Sequence, residues 1–237
     1  MSANFKIELI NIYKKNLKMP IMSMIRFILL FLLLIGCGSD DNPAETPAKN
    51  INRENLPVFL FIGDSLTAGY GIDIKDCFVS LFQKEFEASQ IPFQAKNAGI
   101  SGETSSGTLS RIEWLMSSKP KVVFLCTGSN DGLRGISAEL YRQNLERIIQ
   151  TVKKTDCKLI LGGIRLPVNF GLDYANAMAN VPKNLSEKYN LLYYPFLLDG
   201  VAANFELNQS DYIHPNEKGH KVIFERLNKF FKKNDLY

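Results

Sequence analysis

Residues 57–66 are Pro-Val-Phe-Leu-Phe-Ile-Gly-Asp-Ser-Leu, a short apolar run that ends in a polar turn. The run is rich in β-branched and aromatic residues and is closed by a glycine, which predicts a buried β-strand. In α/β proteins, active sites form in the crevice beyond the carboxyl ends of such strands. Ser65 stands at that position, so it is the first candidate functional residue.

Strand and helix patterns alternate along the rest of the chain. Apolar segments predict four further strands, at Phe93–Ala98, Lys121–Cys126, Lys158–Leu161 and Leu191–Pro195. Helical periodicity predicts helices over Asp76–Ser89, Thr104–Ser118, a segment capped by Ser137, Tyr174–Lys188 and Pro215–Lys233. Because hairpin signals are almost absent, the alternation indicates a parallel sheet covered on both faces. The predicted fold is an α/β three-layer α/β/α sandwich with a mainly parallel five-stranded sheet.

The helix after Ser137 carries the most detailed pattern. Ser137 is predicted to be its N-cap, and Glu139 lies in its first turn, where an acidic side chain is favoured. The apolar positions predict a buried stripe formed by Leu140, Leu145, Ile148, Ile149 and Val152.

Four polar blocks follow the predicted strands or lie in the loops after them. They contain Ser65, Gly102, the pair Gly128 and Asn130, and Asp211 with His214. In a parallel sheet these loops converge at one edge, so residues far apart in sequence can share a crevice. Acyl transfer requires a nucleophile, a base with an orienting group and an oxyanion stabiliser. These residue types can fill all three roles.

In order and spacing, the four blocks resemble those of the SGNH (GDSL) hydrolases. They are GDSLTAGYG (63–71), NAGISGET (97–104), GSNDGLRG (128–135) and DYIHP (211–215). The resemblance extends over essentially all of residues 57–237, which we take as one hydrolase domain, and implies a flavodoxin-like SGNH fold that needs no cofactor. The first block, the loop 130–135 and LPVNFG (166–171) are most similar to the bacterial multifunctional thioesterase/arylesterase/lysophospholipase branch.

Carried over residue by residue, the resemblance implies that Ser65 is the nucleophile. His214 would take and return its proton, since an imidazole titrates close to neutral pH. Asp211 would hold the other ring nitrogen and stabilise the imidazolium. The implied oxyanion hole consists of the backbone N–H groups of Ser65 and Gly102 and the side-chain amide of Asn130.

Several of these residues also have a simpler structural interpretation. Ser65 could cap a helix, while Gly102 and Asn130 could serve turns. His220, the second of only two histidines, lies within the last predicted helix. We expect it to be a surface or packing residue.

Two acidic neighbours of the candidate site are expected to be structural. Asp64 should order the nucleophile loop through local hydrogen bonds, and Asp131 should support the structure rather than catalyse.

Metal and cofactor sites are not expected. The two histidines stand six residues apart without a carboxylate at ligand spacing, which is a poor zinc set. The glycines of residues 69–71 lack the lysine of a phosphate-binding loop. Cys126 lies in an apolar strand and is predicted to be a small buried hydrophobic residue. A disulfide between Cys77 and Cys157 is left as an alternative in an oxidising envelope, although nothing in the spacing argues for it.

The charge balance gives no support for nucleic-acid binding. The chain has 28 Lys and Arg against 24 Asp and Glu. Residues 1–36 hold five basic residues and one acidic residue, so the remainder carries 23 of each. The basic residues of the last helix are therefore expected to form a solvated face: Lys218, Lys221, Arg226, Lys229, Lys232 and Lys233.

Residues 1–36 are predicted to be a lipoprotein-type signal peptide. Arg26 precedes the apolar stretch Phe27–Ile35, which is far shorter than the roughly 20 residues that span a bilayer. Leu34-Ile35-Gly36-Cys37 resembles the lipobox of bacterial lipoproteins, which implies lipidation of Cys37 and a membrane-anchored protein of the bacterial cell envelope. An ordinary signal peptide or a short buried helix stays open. Met22 or Met24 is a candidate start.

Residues 37–56 are predicted to be a flexible tether. The segment is rich in Asn, Asp, Pro and Ala, a composition that does not form a packed core. A tether of this kind would join a lipid anchor to the folded domain.

The predicted function is hydrolysis of carboxylic esters or thioesters through an acyl-enzyme, with a small acyl ester or lipid as substrate. An apolar wall for the acyl chain could be formed by Leu133, Leu166, Pro167, Val168 and Phe170, with plain packing as the alternative. The same blocks would serve a carbohydrate O-acetylesterase that acts on envelope glycans. From another class, a non-catalytic envelope lipoprotein could use the fold as a binding surface.

Overall fold

The computed structural model of the protein describes residues 55–237. The predictions for the signal segment 1–36 and for Cys37 lie outside the described residues, as does most of the predicted tether, and they stay predictions. Over the described range, no helix combines the length and apolar character needed to cross a membrane.

Strands and helices alternate throughout this range. The strands are β1 (Val58–Gly63), β2 (Gln94–Gly99), β3 (Val122–Cys126), β4 (Lys158–Gly162) and β5 (Leu192–Tyr194). The α-helices are α1 (Ser65–Ala68), α2 (Phe78–Ala88), α3 (Ser105–Ser117), α4 (Ser129–Leu133), α5 (Ala138–Val152), α6 (Leu172–Tyr189) and α7 (Glu217–Lys233). Short 3₁₀ turns occur at Ile74–Asp76 and Val168–Phe170.

The five strands form one sheet in the order β2-β1-β3-β4-β5. Every neighbouring pair is parallel, and the central register aligns Phe59 of β1 with Ala95 of β2 and Val122 of β3. The predicted parallel five-stranded sheet is therefore confirmed. Because all strands point the same way, the loops that follow β1, β2 and β3 leave from one edge of the sheet.

Helices cover both faces of the sheet. On one face, Phe59 and Phe61 project from β1 and stack at 4.8 Å between ring centroids. Phe82 of α2 and Phe231 of α7 pack onto them, each within 5.1 Å of one ring. On the other face, α5 packs between α3 and α6. The three-layer α/β/α arrangement follows from the alternation of side chains along each buried strand.

One position of the predicted stripe on α5 is wrong. The cap is confirmed, because the Ser137 hydroxyl accepts the Leu140 N–H at 3.2 Å. Leu140 itself is 47% exposed, and the neighbouring Tyr141 is fully buried instead. The Tyr141 hydroxyl donates to the Thr127 carbonyl at 2.7 Å, so a polar partner lets this ring fill the core position. The other four predicted residues are buried.

The start of the last helix also differs from the prediction. Pro215 was expected to open it, but α7 begins at Glu217 with Asn216 as its N-cap. The Asn216 side chain accepts the Gly219 N–H at 3.1 Å, a hydrogen bond that asparagine makes well at this position. Pro215 instead pairs with Asn208 in an isolated β-bridge. The helices α1 and α4 were not predicted, since four or five residues are too few to show a period.

The predictions for Cys126 and for the basic residues of α7 agree with the structure. Cys77, Cys126 and Cys157 are free thiols in the part of the chain that the structure describes. Cys126 is buried, as predicted, and its burial raises the pKa of the thiol. The six basic residues of α7 are all exposed, which confirms the predicted solvated face.

His220 is a packing residue. Its ring is 1% exposed, and its Nδ1 accepts the N–H of Phe78 at 3.3 Å. Phe78 is the first residue of α2, and among the described residues the N-cap Cys77 makes no side-chain capping bond. The neutral His220 ring therefore supplies an acceptor that the helix start lacks. Burial, reinforced by the charge of His214, lowers the pKa of His220 to about 4.

We expect His220 to make the fold sensitive to acid. The folded state binds this proton less readily than the unfolded chain, whose histidine has a pKa near 6.5. The stabilising effect is thus complete above pH 6.5 and is lost as the pH falls towards about 4. A shift of this size corresponds to about 3 kcal/mol in the free energy of unfolding.

The variant His220→Asn should show a weaker loss of stability over this range, because the Asn oxygen can accept the Phe78 N–H without titrating. Urea unfolding at pH 7.5, 5.5 and 4.5, with the wild type as reference, measures the difference. Equal pH dependence in the two proteins would contradict this assignment.

Candidate active site

Ser65 lies where β1 turns into α1. It is the first residue of α1, and the N-cap is Asp64, whose Oδ1 accepts the Leu66 N–H at 3.0 Å. The capping role considered for Ser65 thus belongs to Asp64, and the prediction that Asp64 orders this loop is confirmed. Burial raises the pKa of Asp64, partly offset by the Leu66 N–H and Ser129. The Ser65 hydroxyl is left free to face the crevice.

Gly63 allows the strand end to pack this tightly. A Cβ atom there would lie 2.2 Å from the Thr67 hydroxyl and 2.7 Å from the Cys126 carbonyl. Only glycine fits between the first turn of α1 and the end of β3.

The structure brings Ser65, His214 and Asp211 into one hydrogen-bonded chain. Nε2 of His214 lies 2.9 Å from the Ser65 hydroxyl, and Nδ1 lies 2.6 Å from Oδ2 of Asp211. The serine and the histidine are 149 residues apart in sequence. This geometry allows a proton to pass from the hydroxyl to the ring while the carboxylate fixes the opposite nitrogen.

Asp211 is held by the turn that it begins. Its Oδ1 accepts the backbone N–H groups of Ile213 at 2.9 Å and His214 at 3.0 Å, while its Oδ2 faces the ring. Tyr212 occupies the middle of the turn with a φ of 58°, a left-handed conformation. Partial burial raises the pKa of Asp211, but the hydrogen bonds from His214 and Ile213 outweigh it and lower the pKa to about 2. Asp211 is therefore ionised at neutral pH.

Two further residues brace the histidine, and the sequence interpretation assigned neither of them a role. The Tyr70 ring lies 4.7 Å from the His214 ring, centroid to centroid. Gln209 donates from its side chain to the carbonyls of Tyr70, at 2.7 Å, and Pro215, at 2.9 Å. Its backbone N–H donates to the His214 carbonyl at 2.8 Å. Gln209 thus joins the loop after α1 to the loop that carries the histidine.

The two other predicted oxyanion donors lie on neighbouring loops. Gly102 follows β2 in a tight turn closed by the Glu103 N–H and the Ile100 carbonyl at 3.1 Å. Its φ of 78° is accessible to glycine without strain. Within residues 55–237, its N–H donates no hydrogen bond. Asn130 donates one amide hydrogen to the Glu103 carbonyl at 3.0 Å, which leaves its second hydrogen available.

Glu103 is fixed by a buried ion pair. Arg111 of α3 contacts both of its carboxylate oxygens, at 2.7 Å and 2.6 Å, and also donates to the Ala98 carbonyl at 2.7 Å. The Thr108 hydroxyl donates to the same carboxylate at 3.0 Å. The segment after Gly102 is therefore tied to α3 and to the end of β2.

Of the residues in the predicted apolar wall, one packs in the core and others are exposed. Leu166 is buried, and its side chain fills the space above Gly132, where an added Cβ would lie 2.5 Å from it. Packing is therefore the correct interpretation for Leu166. Leu133, Val168 and Phe170 are 39%, 75% and 37% exposed and are free to contact a ligand. Across residues 55–237, no cluster of three or more metal-ligating side chains occurs.

The sequence matches known hydrolases. Residues 61–222 match the GDSL-like Lipase/Acylhydrolase family. Esterase TesA of Pseudomonas aeruginosa is 36% identical over 157 residues, which cover 66% of this chain and 78% of that protein. Thioesterase 1/protease 1/lysophospholipase L1 of Escherichia coli is 32% identical over 171 residues, which cover 72% of this chain and 81% of that protein.

Solved structures show the same similarity. The crystal structure of TesA matches with a TM-score of 0.71 at 33% identity, covering 74% of this chain and 98% of that one. The psychrotrophic esterase EstA from Pseudoalteromonas sp. matches with a TM-score of 0.73 at 31% identity, covering 76% of this chain and 99% of that one. The chain therefore belongs to the GDSL, or SGNH, hydrolase family and is a carboxylic ester hydrolase.

Proposed function

We propose that the protein hydrolyses acyl esters and thioesters through a covalent acyl-enzyme formed on Ser65. The observation that carries this proposal is the hydrogen-bonded chain from the Ser65 hydroxyl through His214 to Asp211, at 2.9 Å and 2.6 Å. A serine hydroxyl becomes an effective nucleophile only when such a base can accept its proton.

In the proposed first half-reaction, the Ser65 oxygen attacks the carbonyl carbon and Nε2 of His214 takes the hydroxyl proton. The carbonyl oxygen becomes an oxyanion, and the N–H groups of Ser65 and Gly102 and the amide of Asn130 would stabilise it. Collapse of this intermediate breaks the bond to the leaving oxygen or sulfur. The leaving alcohol or thiol takes the proton from His214.

The second half-reaction repeats these steps with water. His214 takes a proton from the water as it attacks the acyl carbon, and then returns it to the Ser65 oxygen. The products are a carboxylic acid and the free enzyme. Asp211, ionised at neutral pH because its pKa is lowered to about 2, stabilises the positive ring in both halves.

The relatives and the exposed apolar residues support the substrate class. Similar proteins are named as an esterase, as a thioesterase and lysophospholipase, and as an arylesterase. Val168 and Phe170 lie in the loop after β4, which leaves the sheet at the same edge as the Ser65 turn. We infer that they contact the acyl chain of the substrate. A short to medium acyl chain is the group that such an open wall would bind.

Replacement of Ser65 by alanine should remove hydrolysis and covalent labelling together. We expect the rate of p-nitrophenyl butyrate hydrolysis to fall by about 10⁴-fold or more, because the nucleophile is lost. A fluorophosphonate probe should label the wild type and leave Ser65→Ala unlabelled, as measured by intact mass. One relative was solved in a structure described as inhibited by monoethylphosphonate, which makes a phosphorus electrophile a suitable probe.

The matched control is Ser106→Ala, an exposed serine on α3. It should be labelled and should turn over like the wild type. A folded wild type that the probe does not label would favour a non-catalytic binding protein.

Asp211→Asn should test the role of the carboxylate without removing the turn. The Asn oxygen can still accept the N–H groups of Ile213 and His214, but its amide would face Nδ1 of the ring. The ring would then carry its proton on Nε2 and could not accept one from Ser65. We expect kcat to fall about 10⁴-fold at pH 7.5. An unchanged kcat in a variant with wild-type circular dichroism would rule out this role.

The apolar wall should favour longer acyl chains over acetate. For Val168→Ser and Phe170→Ser we expect the ratio of kcat/KM for p-nitrophenyl hexanoate over acetate to fall about fivefold. The reason is that each methylene is worth about 0.8 kcal/mol only when it is fully covered. Trp114→Ser is the matched control, since Trp114 is 72% exposed near the far end of α3.

If the wild type shows no preference for hexanoate over acetate, the wall does not bind the acyl chain. An acetylated sugar should then be compared with a lysophospholipid as substrate. Release of acetate alone would favour a carbohydrate O-acetylesterase.

A further inference from the structure

We propose that Asp131 is a positioning residue for the reaction, and that it holds the oxyanion donors in place by capping α3 from another loop. This inference rests on the proposed function, because it needs Gly102 and Asn130 as oxyanion donors. The sequence interpretation gave Asp131 only a general structural role. Its contacts indicate a more specific one.

Asp131 caps a helix that it does not belong to. Ser105 is the first residue of α3, and its N–H donates to Oδ2 of Asp131 at 2.7 Å. The Ser105 hydroxyl donates to Oδ1 at 2.5 Å. Among the described residues, Thr104 occupies the N-cap position without a side-chain capping bond. Asp131 of α4 therefore supplies the acceptor that a local cap would normally provide.

Asp131 makes this cap with both of its carboxylate oxygens. The Asn144 amide donates to the Ser105 hydroxyl oxygen at 3.0 Å, and the Ser105 hydroxyl in turn donates to Asp131. Both carboxylate oxygens of Asp131 therefore act as acceptors, which a neutral amide cannot reproduce. Asp131 and Ser105 are both fully buried, so water cannot replace a lost partner. The positive end of α3 favours the negative charge.

This cap lies between the two loops that carry the oxyanion donors. Asn130 directly precedes Asp131, and Gly102 stands three residues before Ser105. Two other hydrogen bonds connect the same loops: the Asn130 amide to the Glu103 carbonyl at 3.0 Å, and Arg134 to the Gly102 carbonyl at 2.8 Å. The Arg134 bond is exposed and the Asn130 bond is partly buried. The buried contact through Asp131 is thus the firm connection between the two donors.

The loop behind Asp131 is fixed independently of α3. The Asp131 carbonyl accepts the Ile136 N–H at 2.9 Å, and the Tyr174 hydroxyl donates to the Ile136 carbonyl at 2.6 Å. Loss of the Asp131 carboxylate should therefore leave α4 folded but let the Gly102 segment move relative to Asn130. Oxyanion stabilisation depends on donors held within hydrogen-bond distance of the developing charge, so such movement weakens the transition state more than substrate binding.

Asp131→Asn should lower kcat about 10- to 100-fold while KM changes less than about threefold, since loss of a whole oxyanion donor costs 10²- to 10³-fold. Ser105→Ala keeps the backbone N–H bond and should lower kcat about threefold to tenfold. Asp199→Asn is the matched control, because Asp199 is an exposed acid paired with Arg226 and should keep the wild-type kcat. Circular dichroism and thermal unfolding give the folded fraction used to correct each rate.

A double-mutant cycle separates positioning from loss of stability. If Asp131 acts through the oxyanion donors, Asp131→Asn should cost less than about threefold in an Asn130→Ala background. It should keep its full effect in a Val168→Ser background. Full additivity with Asn130→Ala, or a wild-type kcat in folded Asp131→Asn, would overturn the inference.

The outcomes also distinguish this inference from the proposed function. Wild-type turnover in Ser65→Ala would remove the proposed function itself. If Ser65→Ala and Asn130→Ala are both impaired while Asp131→Asn is normal, only the positioning role fails. If Asp131→Asn does not fold, the Ser105→Ala result decides. A normal kcat in Ser105→Ala would overturn the inference. A reduced kcat in Ser105→Ala, with no further reduction when the same change is made in Asn130→Ala, would support it.

Discussion

The 2.9 Å contact between the Ser65 hydroxyl and the His214 ring is the interaction on which the candidate site depends. The two residues are 149 positions apart, so neither a local turn nor a single helix can hold them together. The contact exists because the parallel sheet brings the end of β1 to the edge where the last loop folds back. Gln209 stabilises this arrangement, since it donates hydrogen bonds to the Tyr70 carbonyl and to the His214 carbonyl.

The strand order explains how the proposed oxyanion donors reach the same edge of the sheet. β1 lies between β2 and β3, so the loops that follow these two neighbours flank the Ser65 turn. The chain goes from β1 to β2 on one side and then crosses to β3 on the other. Such a reversal opens a crevice at the carboxyl edge of an α/β sheet. Gly102 and Asn130 enter this crevice from opposite neighbours, which is why their separation must be fixed by side chains rather than by the sheet.

The sequence was sufficient to predict whatever depends on local pattern or on a linked motif. The five strands and the Ser137 cap were predicted from local pattern. Ser65, Asp211 and His214 were predicted from linked motifs. The error in the α5 stripe has a cause that local pattern cannot show, which is a hydrogen-bond partner distant in sequence. Tyr141 takes the core position expected for Leu140 because its hydroxyl finds the Thr127 carbonyl. Periodicity carries no information about such a partner.

The same limit applies to polar residues of the site. Asp131 could be predicted as structural, but its bond to Ser105, 26 residues away, could not be predicted. Gln209 shows no periodic or motif signal, and its importance is visible only in the folded loops. The start of α7 was misplaced because proline is common at the first helical position, whereas Asn216 forms the better cap here.

Three carboxylates lie in the loops around a crevice that, in the proposed mechanism, must stabilise a negative oxyanion, and each accepts at least one backbone N–H group. Asp64 accepts the Leu66 N–H, Asp131 accepts the Ser105 N–H, and Asp211 accepts the N–H groups of its own turn. Each acid thus accepts backbone N–H groups of the loops that it orders. The N–H of Gly102 and the second amide hydrogen of Asn130 are left unclaimed by these acids. The acids order the loops without using these two donors, so in the proposed mechanism both can face the developing charge without reorganising.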